Sequence, residues 1–356
     1  VEVQATLEGS IEGSPHPVKL IVDGTADRQR VEVRELRAEA GAAQAALTLS
    51  AQRAAGQPWQ LRSSGRLSDF DPVAWWPGSE GTAWRNGPHR LSGNWTLDLT
   101  LPRVLPEMSP LALAQTVVGS GKLSVERSVL AGVPLALQLE LGHRPGTGPA
   151  PSSLRGELVL GGNRLNVTGQ GNPLGDGQAD RLRLDLQGDN LAGLAPLARL
   201  LPDLAPWAPR SGKAQATLSV EGRWPDIRSD GKAAAQDLTL GTLQARQLQA
   251  SWRFDTANGQ PLMLQAELQG LNRGGQKLDN LRIDLRGTGR QHHLDVAAAL
   301  PINPPPGLEL ALGLRTAVGT LVQMRADGQW LADGNGGGRW TGQVAQLTLG
   351  PWGGPG

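Results

Sequence analysis

Apolar and polar residues alternate with a period of two along most of this chain, the signature of strands with one oily and one wet face. In GKAQATLSVEG (212–222), Ala214, Ala216, Leu218 and Val220 fall on one side, and Gln215, Thr217, Ser219 and Glu221 on the other. The alternation returns through Leu182, Leu184 and Leu186, through Leu248, Ala250, Trp252 and Phe254, and through Leu262, Leu264, Ala266 and Leu268. It continues in Leu281, Ile283 and Leu285, in Leu294, Val296, Ala298 and Leu300, and in Leu308, Leu310, Leu312 and Leu314. In the first half, Trp95, Leu97, Leu99 and Leu101 carry it, followed by Leu135, Leu137, Leu139 and Leu141. Asp23-Gly24, Asp176-Gly177, Asp230-Gly231, Asn258-Gly259 and Asp327-Gly328 stand between such runs. They read as turns, because these residue pairs tolerate positive φ.

Helical spacing is scarce. In DFDPVAWWPG (69–78), Asp71 is placed as an N-cap, Pro72 as the first helical residue and Pro77 as the stop. SPLALAQTVVGS (109–120) and PLARLLPDLAPW (196–207) also space apolar residues helically, the second with prolines at its joints. All three read as short elbows. Strands every ~8–15 residues, joined by short loops, predict a meandering antiparallel all-β chain. The apolar side is mostly Leu, Val and Ala, with 11 Trp, 2 Phe and no Tyr. The strands are amphipathic from end to end, whereas a sandwich or barrel of this size should hold some nearly continuous apolar strands. The expectation is therefore an elongated stack in which each hairpin touches only its neighbours. It runs through 1–356 as one continuous repetitive unit, with soft subdivisions near 72–90, 102–120 and 190–212.

Composition narrows the function. Lys+Arg 34 against Asp+Glu 33 gives a net charge of +1, and no stretch concentrates the basic residues, so a nucleic-acid footprint is absent. Without cysteine there are no disulfides, thiolate metal sites or Cys nucleophiles. No apolar run reaches the ~18–20 residues of a membrane-spanning helix.

Residues 188–255 resemble the TamB family, the inner-membrane component of the translocation and assembly module, within the AsmA-like group. The resemblance rests on a helical elbow with Leu204 and Trp207, then on Gly212, Leu218, Gly222, Trp224 and Gly231. It continues through Leu238, Leu240, Gly241, Leu243, Leu248 and Phe254. Pro225 stands one or two places earlier than the family pattern. Trp340, Gly342, Val344, Leu347 and Leu349 are similar to a further strand of the family, and RLSDFDPVAWWP (66–77) is an AsmA-like phrase.

This resemblance implies a U-shaped, taco-like β-groove in the periplasm of a Gram-negative bacterium, anchored in the inner membrane by a segment outside this sequence. It also implies a TamA-like outer-membrane barrel as partner, and either phospholipid conduction between membranes or assistance to nascent outer-membrane proteins. The alternation supplies the physics: a concave face of Leu, Val and Ala and a convex face of Arg, Gln, Asp and Thr. The expected groove lining, for acyl chains or an added β-strand, is Leu182, Leu184, Leu186, Leu218, Val220, Leu238, Leu240, Leu248, Leu262, Leu264, Leu268, Leu294, Val296, Leu310 and Leu312. The alternative is a secreted β-solenoid adhesin or passenger fragment that binds protein or glycan.

Catalytic signatures fail one by one, so a non-enzymatic protein without metal or cofactor is expected. His16, His89 and His143 are scattered in loop-like phrases, and the adjacent His292 and His293 face opposite ways in a strand. GSGK (119–122) lacks the flanking residues of a phosphate loop, and Leu123 and Val125 continue it as a strand. GQGNPLG (169–175) is interrupted by Pro173 and is no dinucleotide fingerprint. Asp69 and Asp71 share a face if extended, but turn and N-cap duty explains both. NWT (94–96) and NVT (166–168) match glycosylation acceptors yet sit within strand-like alternation. Trp207, Trp224, Trp252, Trp340 and Trp352 read as packing residues at groove seams.

Overall fold

The computed structural model describes residues 1–10, 16–75, 82–101, 118–143, 152–171, 180–223, 226–256, 260–301, 319–332 and 338–352. The chain divides into two compact units: Val1–Asp180 with Gly193–Ala205, and Arg181–Ala192 with Pro206–Gly356. The first holds β1 (Glu2–Gly9), β2 (Val18–Ala26), β3 (Arg30–Ala40), β4 (Ala43–Gln52), β5 (Trp59–Phe70), β6 (Leu91–Leu101), β7 (Val118–Leu130), β8 (Val133–His143), β9 (Ser152–Leu160) and β10 (Asn163–Gly171). The second holds β11 (Arg181–Gly188), β12 (Pro209–Arg223), β13 (Asp226–Leu240), β14 (Leu243–Asp255), β15 (Pro261–Arg273), β16 (Gln276–Thr288), β17 (His292–Leu300), β18 (Gly319–Ala332) and β19 (Gly338–Trp352). Within each unit every strand pairs antiparallel with the next. Among the described residues no register returns from a unit's last strand to its first, so neither run of strands closes on itself. The all-β antiparallel expectation holds. Coils of a β-solenoid stack in parallel, which these registers are not.

Tight hairpins form where the alternation meets a pair of turn residues. Ala131-Gly132, Gly161-Gly162 and Gly274-Gly275 have positive φ at both central positions, as a type I′ turn requires. Gly41 and Gly241 are positive at the first position only, which matches type II′. The expected Asp-Gly turns are a correction. Asp23-Gly24, Asp230-Gly231 and Asp327-Gly328 lie inside β2, β13 and β18; Asp176-Gly177 and Asn258-Gly259 fall outside the described residues. The reason is that each residue of the pair serves a different face. Asp23 pairs with Arg34, Asp230 with Arg253 and Asp327 with His293 on the wet side. A Cβ on Gly231 or Gly328 would strike the ring of Trp252 at 2.2 Å or of Trp340 at 2.4 Å on the other. Those glycines make room for tryptophan.

The elbows seat on hairpin turns. Helix α1 (Pro72–Trp75) is capped as its sequence predicts, with Asp71 Oδ1 accepting the Val73 N–H at 2.9 Å. The proline-broken segment at 191–207 forms two 3-10 helices, Leu191–Arg199 and Pro202–Trp207. In the first unit the Gly193 carbonyl approaches Gly161, and Asn86 Nδ2 donates to Arg199 O at 3.2 Å. In the second, Gly241 N–H donates to Ala208 O at 3.0 Å and leaves no room for a side chain beneath Pro206. The helical expectation for 109–120 is overturned at its end, since Val118–Ser120 belong to β7; its remainder lies outside the described residues. GSGK is likewise strand, inside β7.

Candidate functional site

The registers stack the alternating residues into rows that run from strand to strand. One row of the second unit passes from Leu184 to Leu218, Gly231, Trp252, Leu264, Leu285, Leu294, Ala326 and Val344. Beside it runs Leu186, Ala216, Ala233, Ala250, Ala266, Ile283, Val296, Met324 and Leu347. Leu182, Val220 and Leu262 belong to the row on one side, Leu248 and Leu268 to the row on the other. Thus Leu182, Leu184, Leu186, Leu218, Val220, Leu248, Leu262, Leu264, Leu268, Leu294 and Val296 share one continuous apolar face. Leu310 and Leu312 lie outside the described residues.

Leu238 and Leu240 join that face by way of a bend. Asp237, Arg246, Gly270 and Asp279 fall on one row across β13–β16 and have no register partner. Asp237 (φ 48) and Gly270 (φ 65) take left-handed backbone there. Across this row each strand spends three residues between apolar positions: Ala235 to Leu238, Leu248 to Ala245, Leu268 to Leu271 and Leu281 to Leu278. An odd step would flip a regular strand over. Here the bend absorbs it, so the apolar face continues round the corner, where Ala235 and Ala245 are both buried. Thr239 remains on the wet side, with Ser211 Oγ at 2.9 Å from its Oγ1.

Among the described residues no large apolar side chain is sealed on this face. Among the described residues the buried apolar side chains are eight alanines and Val133, and Val133 is the largest that is fully enclosed. The leucines of the rows are half-buried, covered by their neighbours but not by a second layer. Exposure rises at the terminal strands: Val344 and Leu347 on β19 are 57% and 62% exposed, and Leu7 on β1 is 60% exposed. Contiguous apolar surface of this kind marks an interaction site.

Tryptophans lock the rows in a way that alternation does not announce. Trp95 lies over Gly65 of β5 and donates its indole N–H to Ser63 Oγ at 3.1 Å. Trp252 lies over Gly231 of β13 and donates to Ser229 Oγ at 3.1 Å. The same seat, Ser-x-Gly on one strand and Trp on the next, thus occurs once in each unit. The readable signal was the repeated Ser-x-Gly spacing inside a run expected to be strand. Trp207 is half exposed beside the Arg273 guanidinium, 5.9 Å from its ring centre; the side chains of Trp224 and Trp352 are outside the described residues.

The opposite face is wet and mutually paired. Arg62 with Asp98, Lys122 with Glu140 and Arg325 with Asp295 form cross-strand ion pairs at 2.9–3.1 Å. All are exposed, and such pairs contribute little beyond register. This face is not simply convex, as expected. It carries depressions of its own, one of them holding about 690 Å³ over β12–β16, between Gln215, Gln249 and Glu267 on one side and Thr217, Lys232 and Gln265 on the other. Twist makes a sheet saddle-shaped, so each face is concave along one diagonal.

The histidines and carboxylates singled out in the sequence fall in separate places among the described residues. Among the described residues no three His, Asp or Glu side chains could share a metal ion, and no helix is long and apolar enough to cross a membrane. His292 is buried and His293 is exposed on the opposite face, where its Nδ1 meets Asp327. Asp69 takes a bulge position at φ 45, while Asp71 caps α1. NWT and NVT lie within β6 and β10. Comparison of the chain with protein-family models, with curated proteins and with solved structures finds no match in any of the three.

Proposed function

We propose that this chain is a non-enzymatic bridge element of the Gram-negative periplasm whose apolar face shelters phospholipid acyl chains in transit between membranes, in company with a TamA-like outer-membrane barrel. The observation that carries the reading is an apolar face continuous over nine strands of one unit with, among the described residues, no large apolar side chain sealed beneath it. Each acyl CH₂ withdrawn from water contributes ~0.8 kcal/mol, so a chain of ~16 carbons gains on the order of 10 kcal/mol if fully covered. Small and medium aliphatic side chains offer area without oriented hydrogen bonds, which suits a cargo that must slide. The head group stays on the watery side.

Mass spectrometry of lipid that co-purifies with the protein tests this directly, with phospholipid expected in the wild type. Leu218→Arg or Leu264→Asp puts a charge in the central row and should lower bound lipid several-fold while leaving the far-ultraviolet dichroism unchanged. Photo-crosslinkers at Leu240 and Thr239 should label lipid at the first position only. Equal labelling at both would remove the sidedness on which the reading depends.

A second reading, assistance to the assembly of outer-membrane β-proteins, is favoured by β19. That strand pairs with β18 alone among the described strands and carries no charge between Trp340 and Trp352. An uncharged edge with apolar residues on one side is a template for strand addition. Captured barrel peptides without phospholipid would favour it over carriage.

A further inference from the structure

We propose that His292 and Trp340 form an acid-released clasp that holds the edge strand β19 down on the sheet at neutral pH. This is independent of what the apolar face carries. His292 sits on β17 with 4% of its surface exposed. Its Nδ1 lies 3.1 Å from the Thr288 carbonyl, which can only accept, so Nδ1 bears the proton. The Trp340 indole N–H lies 2.7 Å from Nε2 and can only donate, so Nε2 must be a bare lone pair. Both partners have a single role, and the geometry therefore admits one form of the ring, the neutral Nδ1–H tautomer.

The contact skips a strand. Trp340 belongs to β19 and His292 to β17, with β18 between them, and the indole crosses β18 over Gly328. It thus ties the edge to the second strand inward, in addition to the ladder with β18. A second proton on His292 would set two N–H donors against each other at hydrogen-bond distance, and the indole would have to leave.

Among the described residues, little else near His292 can take up that proton's charge. On the same face its cross-strand neighbours are Gly287 of β16 and Gly328 of β18, and Trp340 and Gly342 stand on β19. The charged residues of these strands nearest to it, Arg286, His293, Asp327 and Arg339, alternate to the other face, and Arg290 is exposed in the turn. His293 and Asp327 are paired with each other.

Hydrogen exchange of the full chain, compared at pH values above and below the range in which imidazoles take up a proton and corrected for intrinsic rates, tests the clasp. Amides of 338–346 should exchange roughly five- to tenfold faster, after correction, on the acid side, the size expected when one part-buried hydrogen bond is lost and its partners repel. In His292→Gln, whose amide oxygen accepts the indole N–H and does not titrate, the difference should vanish. In His293→Gln it should persist. Trp340→Phe, which removes the donor, should also abolish it and serves if His292→Gln does not fold. No acid effect in the wild type, or the same effect in His292→Gln or in Trp340→Phe, would overturn the proposal.

Discussion

In the first unit the sheet bends by adding a residue to each of the alternate strands β3, β5 and β7, whereas in the second it bends along a row shared by neighbouring strands. Val33 to Leu36 in β3, Leu67 to Phe70 in β5 and Val125 to Ser128 in β7 each take three steps against two in β4, β6 and β8. Asp69 (φ 45) and Arg127 (φ 49) occupy the inserted positions in left-handed backbone. In β13–β16 every strand takes the odd step at once. Both solutions keep the apolar positions on one side of the bend. The difference teaches that phase, not strand pairing as such, is what the chain protects: a one-residue slip would otherwise turn its leucines to water.

The wet faces differ as well. Among the described residues, the carboxylates held below their usual range by hydrogen bonds lie in the first unit: Glu8 by Lys19, Glu140 by Lys122, Asp23 by Arg34, and Asp27 by the backbone N–H groups of Gln29 and Arg30. The depression of the second unit mixes amides and hydroxyls with Lys232, Glu267, Arg282 and Asp284, and Arg282 pairs with Glu267 across it at 3.6 Å. What the units share is the tryptophan seat.

The largest test of this comparison removes that seat from one unit at a time. Trp95→Ala and Trp252→Ala should each cost about 2–3 kcal/mol, less than for a fully buried ring because both are half-buried. Hydrogen exchange should loosen only the unit that carries the change; equal loosening of both units would erase the division. Next in size is the bend. Gly270→Val forces a β-branched residue into left-handed backbone and should cost about 2 kcal/mol by denaturant titration. Asp237→Gly and Asp69→Gly should instead gain about 0.5 kcal/mol each, because glycine adopts that conformation without strain. A gain in one unit alone would show that the bends are not equivalent.

Smallest is the effect of acid on the carboxylates. Their folded pKa values are lowered, so their contribution is present at neutral pH and fades as pH falls through those lowered values. Acid below the ordinary carboxylate range should therefore trim the first unit through Glu8, Glu140, Asp23 and Asp27, slightly, because all four are exposed, and added salt should weaken the trend. Lys19→Ala should lower the melting temperature slightly at neutral pH and leave it unchanged in acid, which flattens the acid limb of the pH profile.

Much of the fold was legible in the alternation, since a period of two needs only adjacent residues to declare themselves. The elbows were legible too, through Asp71 before Pro72 and the prolines of 196–207. The bends were written in the same pattern, as three-residue steps such as Ala235-Gln236-Asp237-Leu238, but a phase slip in one strand resembles a turn until its neighbours are known to slip beside it. Asp230-Gly231 misled for the same reason. Its glycine answers to Trp252, 21 positions along the chain, and only pairing brings them together.

The sequence by itself determined which side of every strand meets water, because that choice is local and set by side-chain chemistry alone. Tertiary structure decided which rows those sides join, where the sheet turns, and which partner each polar group of the apolar face finds. His292 illustrates the division. Its neighbours in sequence say only that it faces away from His293, while its single allowed tautomer comes from a tryptophan two strands away, a constraint that exists only once the strands are laid side by side.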